Sequence, residues 1–141
     1  MPGDTIEMAV TDPCPCESGK SYGDCCAPMH RGAAAPSPEV LMRSRYSAFA
    51  LGLKTYLLAT WHPRTRPEAA DFDLGDPRTC WLGLRIRRTE MAGTEEGIIE
   101  FVARSRVGGQ RAVRLHETSR FVRENGTWFY VDGVFKDARR R

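Results

Sequence analysis

Four cysteines fall within thirteen residues, in the run Cys14-Pro15-Cys16-Glu17-Ser18-Gly19-Lys20-Ser21-Tyr22-Gly23-Asp24-Cys25-Cys26. Thiolates so close in sequence suit one tetrahedral metal ion, held at about 2.3 Å from each sulfur. Catalytic zinc keeps one position open, so four protein ligands point to a closed, structural site. Zinc is the expected ion, and a four-thiolate site also suits iron. Adjacent Cys25-Cys26 and the tight Cys14-x-Cys16 pair disfavour a disulfide framework. Ser18-Gly19 provides the bend, and backbone N–H groups of the turns are expected to donate to the sulfurs. Lys20 is placed to offset the negative cluster, Tyr22 to cover the ion, and His30 to stand in as a ligand.

The elements that position this cluster change character along the chain. Residues 1–12 read as a loose tail, 13–31 as the cysteine module, and 32–38 as a small, Pro-containing hinge. Ser37-Pro38-Glu39 is a helix start, with Ser37 as cap and Pro38 in the first turn. The helix is expected over 37–51, stopped by Gly52. Val40, Leu41, Ala48 and Leu51 form its apolar stripe, and Arg43, Arg45 and Ser47 fall off it. A second helix is expected over 53–61 and a short one near 68–72.

The second half reads as strands at 80–88, 98–107, 111–123 and 127–135, with turns at Gly108-Gly109 and Asn125-Gly126. Leu82, Leu84 and Ile86 share one face of the first strand. Helices followed by a meander predict an α+β domain with helices packed on one face of an antiparallel sheet. On the third strand Val113, Leu115, Glu117, Ser119 and Phe121 share a face. Glu117 is then desolvated among apolar neighbours, which raises a carboxyl pKa and makes a candidate general base. The competing expectation is a buried pair between Glu117 and Arg43 or Arg45. His62 is a second catalytic candidate by its titration range. Asp132, beside Trp128 and Tyr130, shares this ambiguity. Cys80 is expected to pack as a small hydrophobe.

The chain has 141 residues, 41% hydrophobic and 28% charged, enough for about one domain with a real core. Its net charge is +3, and one divalent ion on four thiolates would lower it to +1. This balance disfavours nucleic acid as the main partner. Arg104, Arg106, Arg111 and Arg114 could form a basic stripe, but no aromatics are interleaved for base stacking. The basic run at 137–141 is expected to be a solvated tail. No stretch approaches the roughly 18 apolar residues of a membrane span. The first residues have neither the basic start nor the apolar core of a secretory signal. Unpaired thiols without export fit a reducing cytoplasm.

The run CPCESGKSYGDCC resembles the SEC-C motif, a short metal-binding module best known at the C-terminal end of the SecA translocation ATPase. The resemblance implies a zinc knuckle on Cys14, Cys16, Cys25 and Cys26. Glu17 stands where that motif commonly has glycine. A positive φ there would cost a non-glycine residue about 1 kcal/mol or more. Further along, LMRSRYSAFALG, YLLATWHP, WLGLRI, EFVARSR and HETSRFVRENGTWFYVDG resemble the YchJ family of bacterial proteins. That likeness implies a nuclear-transport-factor-2-like domain over 37–136, a cone of helices in a strongly curved antiparallel sheet, preceded by the knuckle. Such cones host enzymes and non-enzymes alike, so fold alone assigns no activity. The first expectation for function is docking of a protein or ribosomal partner by the knuckle. The alternative is a small-molecule-binding or enzymatic cone, with Glu117 as acid/base. A third is metal handling by exchangeable thiolates.

Overall fold

The computed structural model describes residues 8–136. The tail at 137–141 lies outside the described residues, as do residues 1–7. Cys26 leads into a single turn of helix, α1 (Ala27–His30), which ends in a connector to the long helix α2 (Pro38–Leu51). Ser37 Oγ accepts from the Val40 N–H at 3.2 Å, and Gly52 closes α2 at φ 76°. Those are the caps that the residue types predict. Helix α3 (Lys54–Ala59) is shorter at both ends than 53–61, and the expected helix near 68–72 is a 3-10 turn, Ala69–Asp71.

Four strands follow: β1 (Thr79–Ala92), β2 (Glu96–Val107), β3 (Val113–Glu124) and β4 (Thr127–Phe135). They form one antiparallel sheet in the order β1-β2-β3-β4. Asn125 and Gly126 both have positive φ, 54° and 78°, as a tight hairpin turn between twisted strands requires. The fold is α+β, with helices packed against a curved sheet and the cysteine cluster in front of it. After α3 the chain crosses to β4. His62 N–H donates to the Tyr130 carbonyl at 2.7 Å, and Tyr130 N–H donates to the Thr60 carbonyl at 2.9 Å.

Five expectations are corrected. Residues 9–12 are not a loose tail: the Gly23 and Tyr22 N–H groups donate to the carbonyls of Val10 and Asp12, each at 2.8 Å. Arg45 and Ser47 are buried although they leave the apolar stripe of α2. Helix α2 is covered on more than one side, so a single-stripe reading fails. On β1, a bulge between Trp81 and Gly83 makes Leu82 the extra residue. Trp81, Leu84 and Ile86 then pack on the core, and Leu82 does not. Such an insertion reverses the alternation beyond it. Cys80 is exposed, not packed. Finally, the Arg–Glu117 pair does not form, for reasons given below.

Candidate metal centre and cavity

The four cysteine side chains converge. Their sulfurs all lie within 4.8 Å of one another, with Cys16 Sγ 3.5 Å and Cys26 Sγ 3.9 Å from Cys25 Sγ. A tetrahedron with bonds of about 2.3 Å has sulfur–sulfur edges of about 3.8 Å. The donor set therefore fits a metal ion in chemistry and in spacing. Cys14, Cys16 and Cys26 are buried, and Cys25 is half-buried. As thiols they cannot all ionise together. Hydrogen bonds from Cys14 and Cys26 drive the Cys16 thiol far down. Burial holds Cys25 up at about 11, and hydrogen bonding to Cys14 and Cys16 pushes Cys26 higher still. A divalent cation would replace these shared protons on all four sulfurs.

Hydroxyls rather than backbone N–H groups serve the sulfurs among the described residues. Ser47 Oγ donates to Cys26 Sγ at 3.3 Å and lies 3.6 Å from Cys14 Sγ, while Ser18 Oγ is 3.1 Å from Cys25 Sγ. The cation at the cluster is Arg43, whose Nη1 donates to the Cys16 carbonyl at 2.9 Å. Lys20 contributes its carbonyl, which accepts from Cys14 N–H at 3.0 Å. His30 is outside the ligand set. Its Nε2–H donates to the Ser44 carbonyl at 2.8 Å, which leaves Nδ1 to accept from the Tyr22 hydroxyl at 2.7 Å. Burial holds its pKa down, so the ring is a neutral strut between knuckle and helix. Tyr22 is spent on that strut. Glu17 does adopt φ 63°, the left-handed conformation that favours glycine. Ser44 and Ser47, one helical turn apart, let the knuckle approach α2 closely. That pair of small polar residues was the available signal for the contact.

On the other flank of α2 lies a cavity of about 320 Å³. Phe49, Trp61, Trp81, Phe101 and Phe135 supply much of its wall, and Glu117 and Ser119 line it too. The register between β2 and β3 is unbroken through Phe101↔Glu117, so Glu117 faces inward as its strand alternation predicts. Its Oε2 accepts from Ser119 Oγ at 2.8 Å and from the Tyr130 hydroxyl at 3.3 Å, and no protein donor among the described residues reaches Oε1. Burial raises its pKa against these two bonds and the attraction of Arg45. A Cβ at Gly133, opposite Ser119 on β4, would overlap the carboxylate. Trp61 Nε1 is buried with no acceptor among the described residues.

Arg45 does not reach Glu117. Its Nη1 donates to the Leu57 carbonyl at 2.8 Å and to Thr60 Oγ1 at 2.7 Å. Its guanidinium carbon lies 4.4 Å from the Tyr130 ring centroid and 5.3 Å from that of Trp61. Aromatic faces and carbonyls thus take the place of a carboxylate. Burial lowers its pKa to about 10, which keeps it protonated at neutral pH. Arg43 is committed to Glu39 and the knuckle. His62 is buried in the turn after α3, where Nδ1 accepts from Arg64 N–H at 3.0 Å. Its Nε2 lies 3.0 Å from Glu124 without hydrogen-bond geometry. It does not line the cavity, so the two catalytic candidates are not brought together. Asp132 pairs with Arg120 at 2.7 Å on the outer face of the sheet.

The comparisons agree with this division. Residues 37–133 match the family model of the YchJ middle NTF2-like domain, and residues 11–28 match the SEC-C motif. A UPF0225 protein of Xanthomonas campestris pv. campestris is 52% identical over 86% of this chain and 94% of its own length. A UPF0225 protein of Chromobacterium violaceum is 54% identical over 86% of this chain and 91% of its own. The solution structure of a SEC-C motif containing protein from Rhodopseudomonas palustris superposes with a TM-score of 0.74 at 38% identity, covering 88% of this chain and 98% of that one. A cysteine knuckle that fits a metal, joined to a helix-lined curved sheet, places the chain in the YchJ family, with a SEC-C motif in front of its NTF2-like domain.

Proposed function

We propose that this chain is a metal-clipped binding protein, whose cone takes a small, mainly apolar molecule bearing one polar group. The observation that carries this is Glu117: a buried carboxyl with one oxygen free of protein donors among the described residues, facing an aromatic-walled cavity. Ligand sites are typically apolar with a few convergent polar groups, and a raised carboxyl pKa in such a place suits an acid/base role. In this reading the four cysteines hold one zinc ion that supplies no chemistry. It ties residues 9–30 to α2, in a cytoplasm that keeps thiols reduced.

Phenol and cyclohexanol are suitable probes. Titration of either into isotope-labelled protein should move the indole N–H signals of Trp61 and Trp81, and Glu117→Gln should weaken binding while the metal stays bound. Unmoved indole signals with both probes would remove the cavity reading. The pH dependence has a defined sign. Burial raises the folded pKa of Glu117 above its ordinary 4.5. The stability this contributes is complete below that ordinary value and is lost as pH rises through the folded one. Glu117→Gln should abolish that loss, a difference visible in parallel thermal melts across pH.

A second reading, docking of a protein partner by the knuckle, is favoured by the solvent exposure of Glu17, Gly19 and Lys20 at its tip. Lys20→Glu should then weaken partner capture without metal loss. Undiminished capture would sink it.

A further inference from the structure

The outer face of the sheet, next to the knuckle, forms a cleft of about 590 Å³ lined by Arg43, Arg85, Arg87, Arg104, Arg114 and Glu17. Arg104 and Arg114 are direct partners across β2 and β3, and Arg104 is paired on its other side with Gly83. Like charges placed opposite one another destabilise a sheet. Among the described residues, Arg85, Arg87, Arg104 and Arg114 have no carboxylate within ion-pair distance. Elsewhere on the same face Arg88 is neutralised by Glu90 and Glu100 and Arg120 by Asp132, while Arg106, two residues beyond Arg104, is in no ion pair among the described residues. Unpaired positive charge is thus concentrated in the cleft and continues from it to Arg106 on β2. The one carboxylate in the lining is that of Glu17, which hangs over Gly83, 3.1 Å from where a Cβ would stand, and pairs with no arginine among the described residues.

We infer that this cleft docks a short acidic segment of a partner protein, laid in extended conformation parallel to the strands over β1, β2 and β3. The inference gives the docking reading a surface and a chemistry, and moves it from the knuckle tip to the sheet beside it. Guanidinium groups bind carboxylates bidentately, and acidic side chains at alternate positions of an extended peptide repeat every ~6.8 Å. Gly83 pairs with Arg104 and Arg85 with Val102, so Arg104 and Arg85 stand two residues apart along the strands, the same repeat. A long polyanion is disfavoured by the far end of this sheet, where Glu90, Glu95 and Glu96 gather at the β1–β2 turn. Among the described residues, the cleft lining also has no aromatic side chain on which bases could stack.

The test is fluorescence anisotropy at low ionic strength with the full chain and a labelled Glu-Ser repeat octapeptide. Arms with a labelled single-stranded oligonucleotide of the same length run beside it. The peptide should bind, weaken with added salt, and lose at least about tenfold in affinity with Arg104→Glu/Arg114→Glu. Lys20→Glu should leave its affinity unchanged. Circular dichroism checks the double variant; if it is unfolded, Arg85→Ser/Arg87→Ser takes its place with the same expected loss. Failure of the peptide to bind, or binding indifferent to both arginine pairs, overturns the inference. So does an oligonucleotide that binds more tightly than the peptide, which would assign the cleft to nucleic acid. Loss with Lys20→Glu alone would return docking to the knuckle tip.

Discussion

Helix α2 separates two polar regions that are held in opposite ways. On the knuckle flank, Ser47 serves two sulfurs, Arg43 binds the Cys16 carbonyl, and His30 uses both ring nitrogens between Tyr22 and Ser44. On the cavity flank, among the described residues, Glu117 has one oxygen with no protein donor, and Trp61 Nε1 has no acceptor. Buried polar groups ordinarily find partners, so a satisfied network reads as architecture and an unsatisfied one as a place for something else to bind. The cysteines attract attention in the sequence. The unpartnered Glu117 oxygen and Trp61 Nε1 lie across the helix from them.

That contrast can be broken in order of expected effect. Cys26→Ser, or strong chelation of the protein, should release the metal and cost about 3 kcal/mol or more, because the closed cluster anchors residues 9–30 to α2. Metal analysis and chemical denaturation would show it; an unchanged midpoint would mean the knuckle is not a structural clip. Gly133→Ala forces a methyl into the Glu117 carboxylate. It should cost about 1–3 kcal/mol and abolish probe binding in the cavity while leaving metal content intact. Ser47→Ala removes the hydroxyl from two sulfurs at a cost of about 1 kcal/mol, and should weaken metal affinity about tenfold in a competition titration. Glu17→Gly relieves a left-handed non-glycine residue and should stabilise by about 1 kcal/mol, seen as a higher melting temperature without a change in metal stoichiometry.

Much of the frame was legible because its signals are local. Ser37-Pro38 and Gly52 bound α2, Asn125-Gly126 marks the last hairpin, and the cysteine spacing encodes the knuckle. The inward placement of Glu117 was legible too, because no bulge interrupts β3 against β2 there. Its partners were not: Tyr130 reaches it from β4, and the bulge between Arg120 and Phe121 that sets this register has no sequence mark. The same holds for Leu82, where a single inserted residue brings Trp81 to the core. Arg45 and Ser47 were misplaced for another reason. A helix clasped by a knuckle on one flank and a sheet on the other buries polar residues that a one-sided helix would leave in water.

The crossing of residues 60–62 onto β4 has a consequence for how this chain behaves among copies of itself. β4 is the last strand of the sheet, and an open edge offers a row of unpaired groups to any passing strand. At Tyr130 both the N–H and the carbonyl on that side are already taken, by Thr60 and His62. At the opposite margin, β1 carries two register shifts, at Trp81/Gly83 and Ile86/Arg88, and such kinks spoil the straight template that strand addition needs. Parts of both margins of the sheet are thus blunted against side-by-side addition of another strand.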